Sequence, residues 1–132
     1  MTVLVDTSVW IEYLRGAKGP VRDAFVRLLE DGEVGTTDAV VLEVLVGPTD
    51  EDAADRLGDL LARGTLLHQE SPVDTESAAA IYRVCRRHGF TPRSSLDCVI
   101  AAVAIRHDVP VLHRDRDFDM IARHAPLRIH QP

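Results

Sequence analysis

With 132 residues, 45% of them hydrophobic, the chain is long enough to bury a sizeable core as one domain over residues 1–132 without staples. No apolar run approaches membrane-spanning length and no basic stretch precedes a long apolar one, so the expectation is a cytoplasmic protein with no membrane contact. The net charge of −6 argues at first against a nucleic-acid partner, because phosphate binding ordinarily shows as a basic surface.

The first element is Val3-Leu4-Val5, short, β-branched and continuously apolar, as expected of a strand buried on both faces of a parallel sheet. Asp6 and Thr7-Ser8 follow, and then Val9, Trp10, Tyr13 and Leu14 recur at helical spacing as far as Gly16. A helix over 20–30 stops before Gly32, and a strand at 33–36 leads into a helix started by Thr36 or Thr37, with Asp38 in its first turn and Gly47-Pro48 as its stop. β-Branched content would also allow a strand there, but the cap-like start and the Gly-Pro stop favour the helix. Helices at 50–63 and 72–88 end before Gly64 and Gly89, and Pro20 and Pro72 are placed at first helical positions. A strand at 65–69 lies between them. Ser94-Ser95-Leu96-Asp97 opens a helix that is apolar nearly all round through Ile105 and is therefore buried. A strand at 110–113, a helix running from Asp115 to Ile121 and a strand at 127–130 complete the chain. Alternating strands and helices give an α/β fold, a three-layer α/β/α sandwich around a mainly parallel sheet.

Acids stand inside or just beyond these apolar stretches at four stations: Asp6, Glu43, Asp97 and the pair Asp115/Asp117. A lone buried carboxylate costs several kcal/mol or takes up a proton, so several at the edge of one core suggest a positive partner, most simply a divalent metal. Each station also has a plainer reading. Asp6 and Asp115 suit helix N-caps, Asp117 suits a first turn, and Ser94 with Asp97 has the spacing of a capping box. Glu43 resists such a reading, since Val40-Val41-Leu42 and Val44-Leu45-Val46 would surround it with apolar side chains inside a helix. Asp6 and Asp115 fall at strand ends, where open α/β sheets place their ligands.

The charge objection weakens once these five acids are set apart, because they account for −5 of the −6 and two bound divalent cations would reverse the local field. Lys18 is the one lysine; the remaining basic side chains are arginines. Arg93, Arg114 and Arg116 flank the stations, where guanidinium groups can hold phosphates. Arg83, Arg86 and Arg87 share or adjoin a helix face, although a charge cluster late in a helix usually solvates it and complements its dipole. The six histidines form no ligand pattern; His113 alone sits near a station, at a strand end. Cys85 and Cys98 lie in apolar helical contexts and are expected to be reduced core residues.

In this order the residues resemble the PIN-domain ribonucleases, and more closely the VapC-type toxins of bacterial toxin–antitoxin pairs. The resemblance rests on Val-Leu-Val-Asp6-Thr7-Ser8 with Trp10-Ile11, on Glu43 in its mid-chain helix, on Ser95-Leu96-Asp97 with Ile100-Ala101-Ala102, and on His113-Arg114-Asp115-Arg116-Asp117-Phe118. It implies a PIN-like fold and an endoribonuclease whose carboxylates bind one or two Mg2+ or Mn2+ ions. Asp6 and Asp97 would be direct ligands, with Asp115 or Asp117 completing the site. Glu43 would bind a second ion or orient its water, and Thr7 and Ser95 would hold carboxylates or waters. A hard cation takes oxygen ligands, acidifies water and neutralises charge on the phosphate, so hydrolysis would leave 5′-phosphate and 3′-hydroxyl ends. The resemblance also implies a homodimer and a cognate antitoxin that blocks the site.

Three other readings compete with this one. A receiver-type phosphorylation switch would need adjacent acids after the first strand and a lysine after a late one, whereas Asp6 stands alone and Lys18 is in another region; a haloacid-dehalogenase-type phosphatase would need an Asp where Ser8 stands. A catalytically inactive PIN-like module that only binds partners shares the fold without the chemistry.

Overall fold

Four short strands, β1 (Val3–Val5), β2 (Val34–Thr36), β3 (Thr65–Leu66) and β4 (Val111–Leu112), form one sheet in the order β3-β2-β1-β4 in the computed structural model, which describes residues 1–132. Every pairing is parallel, with Val3 opposite Val34, Leu4 opposite Val111 and Gly35 opposite Thr65. β1 is central and its three side chains are buried, which explains its unbroken apolar run: both faces of a parallel strand are covered by crossover helices. β3 is a two-residue exposed edge, so the expected strand at 65–69 is cut short, although Leu67 N still donates to Thr36 O at 2.7 Å. The expected strand at 127–130 shrinks to one parallel bridge between Ile129 and Val111, because β4 offers only two residues to pair with.

Seven helices complete the chain: α1 (Thr7–Leu14), α2 (Pro20–Glu30), α3 (Asp38–Leu45), α4 (Glu51–Ala62), α5 (Val73–Arg87), α6 (Ser95–Arg106) and α7 (Arg116–Ala122). From β1 to β2 to β3 the chain steps in one direction across the sheet and then returns to β4. Right-handed crossovers therefore put α1 to α4 on one face and α5 to α7 on the other, a three-layer α/β/α sandwich. Pro20 takes the first position of α2 as expected, whereas Pro72 lies one residue outside α5 as its N-cap and offers its carbonyl to Glu76 N.

The core joins both layers to the sheet through Leu4, Val5, Val40, Ile100, Val103, Phe118 and Ile121, all 0% exposed. Trp10 and Tyr13 of α1 meet Phe25 of α2 edge to face, with ring centroids 4.8 and 5.1 Å away, and this fixes the first crossover. Gly35 sits where a Cβ would lie 2.8 Å from the Thr2 side chain, so β2 passes close to its neighbours only because that residue has no side chain. Cys85 and Cys98 are buried free thiols. Asp74, 1% exposed, receives Arg106 Nε and Nη2 at 2.9 Å each, and Arg106 Nη2 also donates to His68 O at 2.6 Å. This pair ties the start of α5 to the end of α6. No helix is long and apolar enough to cross a membrane.

Candidate active site

β1 and β4 are neighbours at the point where the order of strands reverses, the position at which open α/β sheets form their crevices. Asp6 leaves β1 there. Its N–H donates to Leu112 O of β4 at 2.9 Å, and its Oδ2 accepts from Ser8 N at 3.0 Å and from the Ser8 hydroxyl. It is therefore the N-cap of α1 as well as an acid of the crevice; the two readings of this residue coexist. Ser8 Oγ also accepts from Arg114 N at 3.0 Å, which stitches the β4 exit to the β1 exit. Burial pushes the Asp6 carboxyl up, the Ser8 hydrogen bonds oppose this, and the charge of Asp115 adds to the rise.

Asp115 caps α7, its Oδ1 accepting from Asp117 N at 3.0 Å and from Arg93 Nη2 at 2.6 Å. Asp117 is 1% exposed, and its Oδ2 accepts from Arg93 N at 3.0 Å and Arg93 Nε at 3.3 Å. One arginine thus holds both acids, and the two carboxylates in turn hold its guanidinium protonated above the ordinary range. Each acid keeps a second oxygen outside these bonds.

Asp97 enters from the first turn of α6. Ser94 caps that helix, but its hydroxyl oxygen accepts from Leu96 N at 3.2 Å, and the capping box expected from the Ser94–Asp97 spacing does not form. The Asp97 carboxylate instead stands in the crevice, where one oxygen each from Asp97, Asp115 and Asp117 lie within 4.8 Å of one another. Its carboxyl is pushed up to about 7, first by burial and then by the charges of Asp6, Asp115, Asp117 and Glu43 in that order. The other four acids of the stations therefore all act on Asp97 in one crevice, and Asp97, Asp115 and Asp117 converge within it.

Glu43 projects from α3, and Thr7 Oγ1 of α1 donates to its Oε1 at 2.9 Å. It is half-buried rather than enclosed: Leu42 and Val46 beside it are 61% and 72% exposed, because an eight-residue helix packed on α1, α4 and α6 leaves one face to solvent. Of the flanking residues, Arg93 is bound to the acids, whereas Arg114 turns away to pair with Glu12 at 3.0 Å. Arg116 and Ser95 are exposed at the starts of α7 and α6. His113 accepts from Asp115 N at Nδ1 (3.1 Å) and donates from Nε2 to Asp119 (3.0 Å), so it shapes the loop after β4.

Sequence reading overlooked the joint role of Ser8 and the double grip of Arg93. Ser8 carried a local signal, the two-residue spacing at which a capping Asp meets a hydroxyl. Arg93 carried none, since its partners lie 22 and 24 residues away.

The donor set fits a hard divalent cation. It consists only of carboxylate oxygens, the oxygens of three acids converge, and Asp97 is raised by burial and by the charges of the four acids around it. A parallel sheet with acids beyond β1 and β4 and at the start of α6 defines the class, and the family model described as the PIN domain matches residues 3–124. Ribonuclease VapC11 of Mycobacterium tuberculosis is 41% identical over 129 residues, covering 96% of both chains. Among solved structures, FitAcB from Neisseria gonorrhoeae covers 99% of this chain and 98% of its own at 25% identity and a TM-score of 0.71. VapBC2 from Rickettsia felis, bound to a promoter DNA fragment, covers 98% of both chains at 13% identity and a TM-score of 0.77, a likeness of fold. The chain belongs to the PIN-domain family and, within it, to the VapC ribonucleases.

Proposed function

We propose that residues 1–132 act as one PIN domain, a metal-dependent endoribonuclease that serves in the cytoplasm as the toxin of a toxin–antitoxin pair. The observation that carries the reading is the convergence of Asp97, Asp115 and Asp117, with Asp6 and Glu43 close enough to raise Asp97. Asp6, Asp97 and Asp115 would ligate Mg2+ or Mn2+, with Asp117 within reach of the same ion. When bound, such an ion supplies an acidified water and offsets charge on the phosphate.

The protein's own groups do the rest. Arg93 fixes Asp115 and Asp117 beside Asp97 and leaves each a further oxygen outside its own bonds. Ser8 restrains Asp6. Thr7 engages Oε1 of Glu43 and leaves Oε2 to orient the attacking water. Hydrolysis by water leaves 5′-phosphate and 3′-hydroxyl ends on the RNA. Arg116 stands exposed at the start of α7, beside the acids, whereas Arg114 is held by Glu12.

Two partners follow from the same reading. The reading includes a homodimer and a cognate antitoxin that blocks the site. A groove of about 590 Å3 between α1, α3 and α4, lined by Ile11, Leu14, Val44, Leu57 and Leu60 and ending at Glu43, suits an apolar antitoxin helix that carries a basic residue toward the acids.

The test is incubation of the purified chain, free of antitoxin, with total RNA in Mg2+ or Mn2+ and in EDTA, with new 5′ ends mapped by sequencing. Metal-dependent cuts at a few sites with 5′-phosphate ends are expected. Folded protein that makes no cut in either metal would leave only the partner-binding module, and 2′,3′-cyclic phosphate ends would rule out the water mechanism.

A further inference from the structure

The crevice opens on its other side into a second groove of different chemistry. It holds about 630 Å3 between α5 and α6, with Tyr82, Arg83 and Arg86 along α5 and Arg93 and Ser95 where it reaches the acids. Taking the ribonuclease reading as its basis, we infer that this groove is the track for single-stranded RNA beside the scissile phosphate. Arg83 and Arg86 hold phosphates there, and Tyr82 provides a stacking face.

Four observations support the assignment. First, Arg83 and Arg86 are among the arginines with no carboxylate partner, unlike Arg93 at the end of the groove, so two guanidinium groups line it outside any ion pair. Their lateness in α5 explains a benefit to the helix dipole, but it does not explain why both line one concavity while the adjacent Arg87 does not. Secondly, Tyr82, Arg83 and Arg86 follow helical spacing along one face, and the Arg86 guanidinium carbon lies 5.7 Å from the Tyr82 ring centroid. The guanidinium lies over the ring as a cation–π pair, and such an arginine–aromatic stack is the kind of element against which unpaired bases stack without regard to sequence.

Thirdly, Ala78 and Ala79 line the floor, and their small side chains let a nucleotide backbone approach the helix closely. Fourthly, the groove is continuous with the acids through Arg93, which lines it and also binds Asp115 and Asp117. In a chain of net charge −6, phosphates on either side of the scissile one are repelled by five carboxylates, and a cationic track that ends at those carboxylates offsets the repulsion.

The experiment measures cleavage of a short single-stranded RNA that carries a mapped cut site, over a range of salt, by the full chain and by Arg83→Gln/Arg86→Gln. Arg22→Gln/Arg27→Gln, two exposed positions on α2, serves as the charge-matched control. The groove variant should raise KM roughly tenfold with kcat within about twofold, and should lower the salt slope of kcat/KM by about 1.4, the value for two lost contacts to a single strand. Tyr82→Ala should raise KM and Tyr82→Phe should restore it. Unchanged KM and slope alongside continued metal-dependent cleavage would overturn the groove while leaving the ribonuclease standing. A changed oligomeric state at unchanged KM would overturn it in favour of a protein contact. A parent chain that cuts no RNA would overturn both readings.

Discussion

Replacing Asp97 by Asn should abolish cleavage and at the same time make the metal-free protein more stable. The folded carboxyl titrates at about 7 against an ordinary 3.8, because burial and four other carboxylates disfavour its charge. That rise corresponds to about 4 kcal/mol at full weight. The side chain is half-buried and partly open to solvent, and screening brings the figure nearer to about 2 kcal/mol. The sign follows from proton linkage. Between about pH 4 and pH 7 the folded state keeps a proton that the unfolded chain has released, so this group lowers stability progressively as pH rises, with its full effect above about pH 8.

Asn carries no charge and keeps the shape, so urea unfolding in EDTA should give matching midpoints for both proteins only below about pH 4, with less than half of the full gap open at pH 5. At pH 8 the variant should be ahead by about 2 kcal/mol, which for a chain of this size is about 7 °C in Tm. Millimolar Mg2+ or Mn2+ should then stabilise the parent and largely fail to stabilise the variant, because only the parent offers the full ligand set. Cleavage should fall by at least about a hundredfold. A variant that is less stable than the parent at pH 8 in chelator, or a gap that is the same at pH 5 and pH 8, would refute the account of a mutually repelling cluster.

Two further outcomes follow from neighbouring contacts. Ser8→Ala removes the hydroxyl donor to Asp6 and the acceptor for Arg114 N, so the Asp6 carboxyl should rise further and the acid limb of the pH–rate profile should move to higher pH; a profile that stays in place would show that Asp6 does not need Ser8. Arg106→Met strands the buried Asp74 and should cost about 3–5 kcal/mol in chemical denaturation at neutral pH. Because the Arg106 hydrogen bonds hold Asp74 below its ordinary range, this contribution is present above about pH 4 and is lost as pH falls through the lower folded value, so the difference between the two proteins should shrink in acid.

The elements themselves were readable from local chemistry. β1 was given by an apolar run that only a doubly covered strand requires, and α6 by an apolar helix with a serine cap. Asp6, Asp97 and Asp115 were found because a carboxylate beside buried strands or helices demands an explanation. Even so, periodicity could not set the length of β3 or the fate of residues 127–130, since a strand persists only as far as its neighbour offers partners. Nor could it decide how Asp97 would be used. The Ser94 spacing allowed a local capping bond, whereas the packing of α6 against β1 and β4 sets the Asp97 carboxylate beside Asp115 and Asp117. The grip of Arg93 on two acids more than twenty residues away, the bond from Thr7 to Glu43 and the shared groove of Arg83 and Arg86 have no signature in any local window. Burial pattern and capping act over a few residues and are therefore written in the sequence, whereas the distances among charges that perform chemistry are set by the order of the strands and the packing of helices from opposite layers.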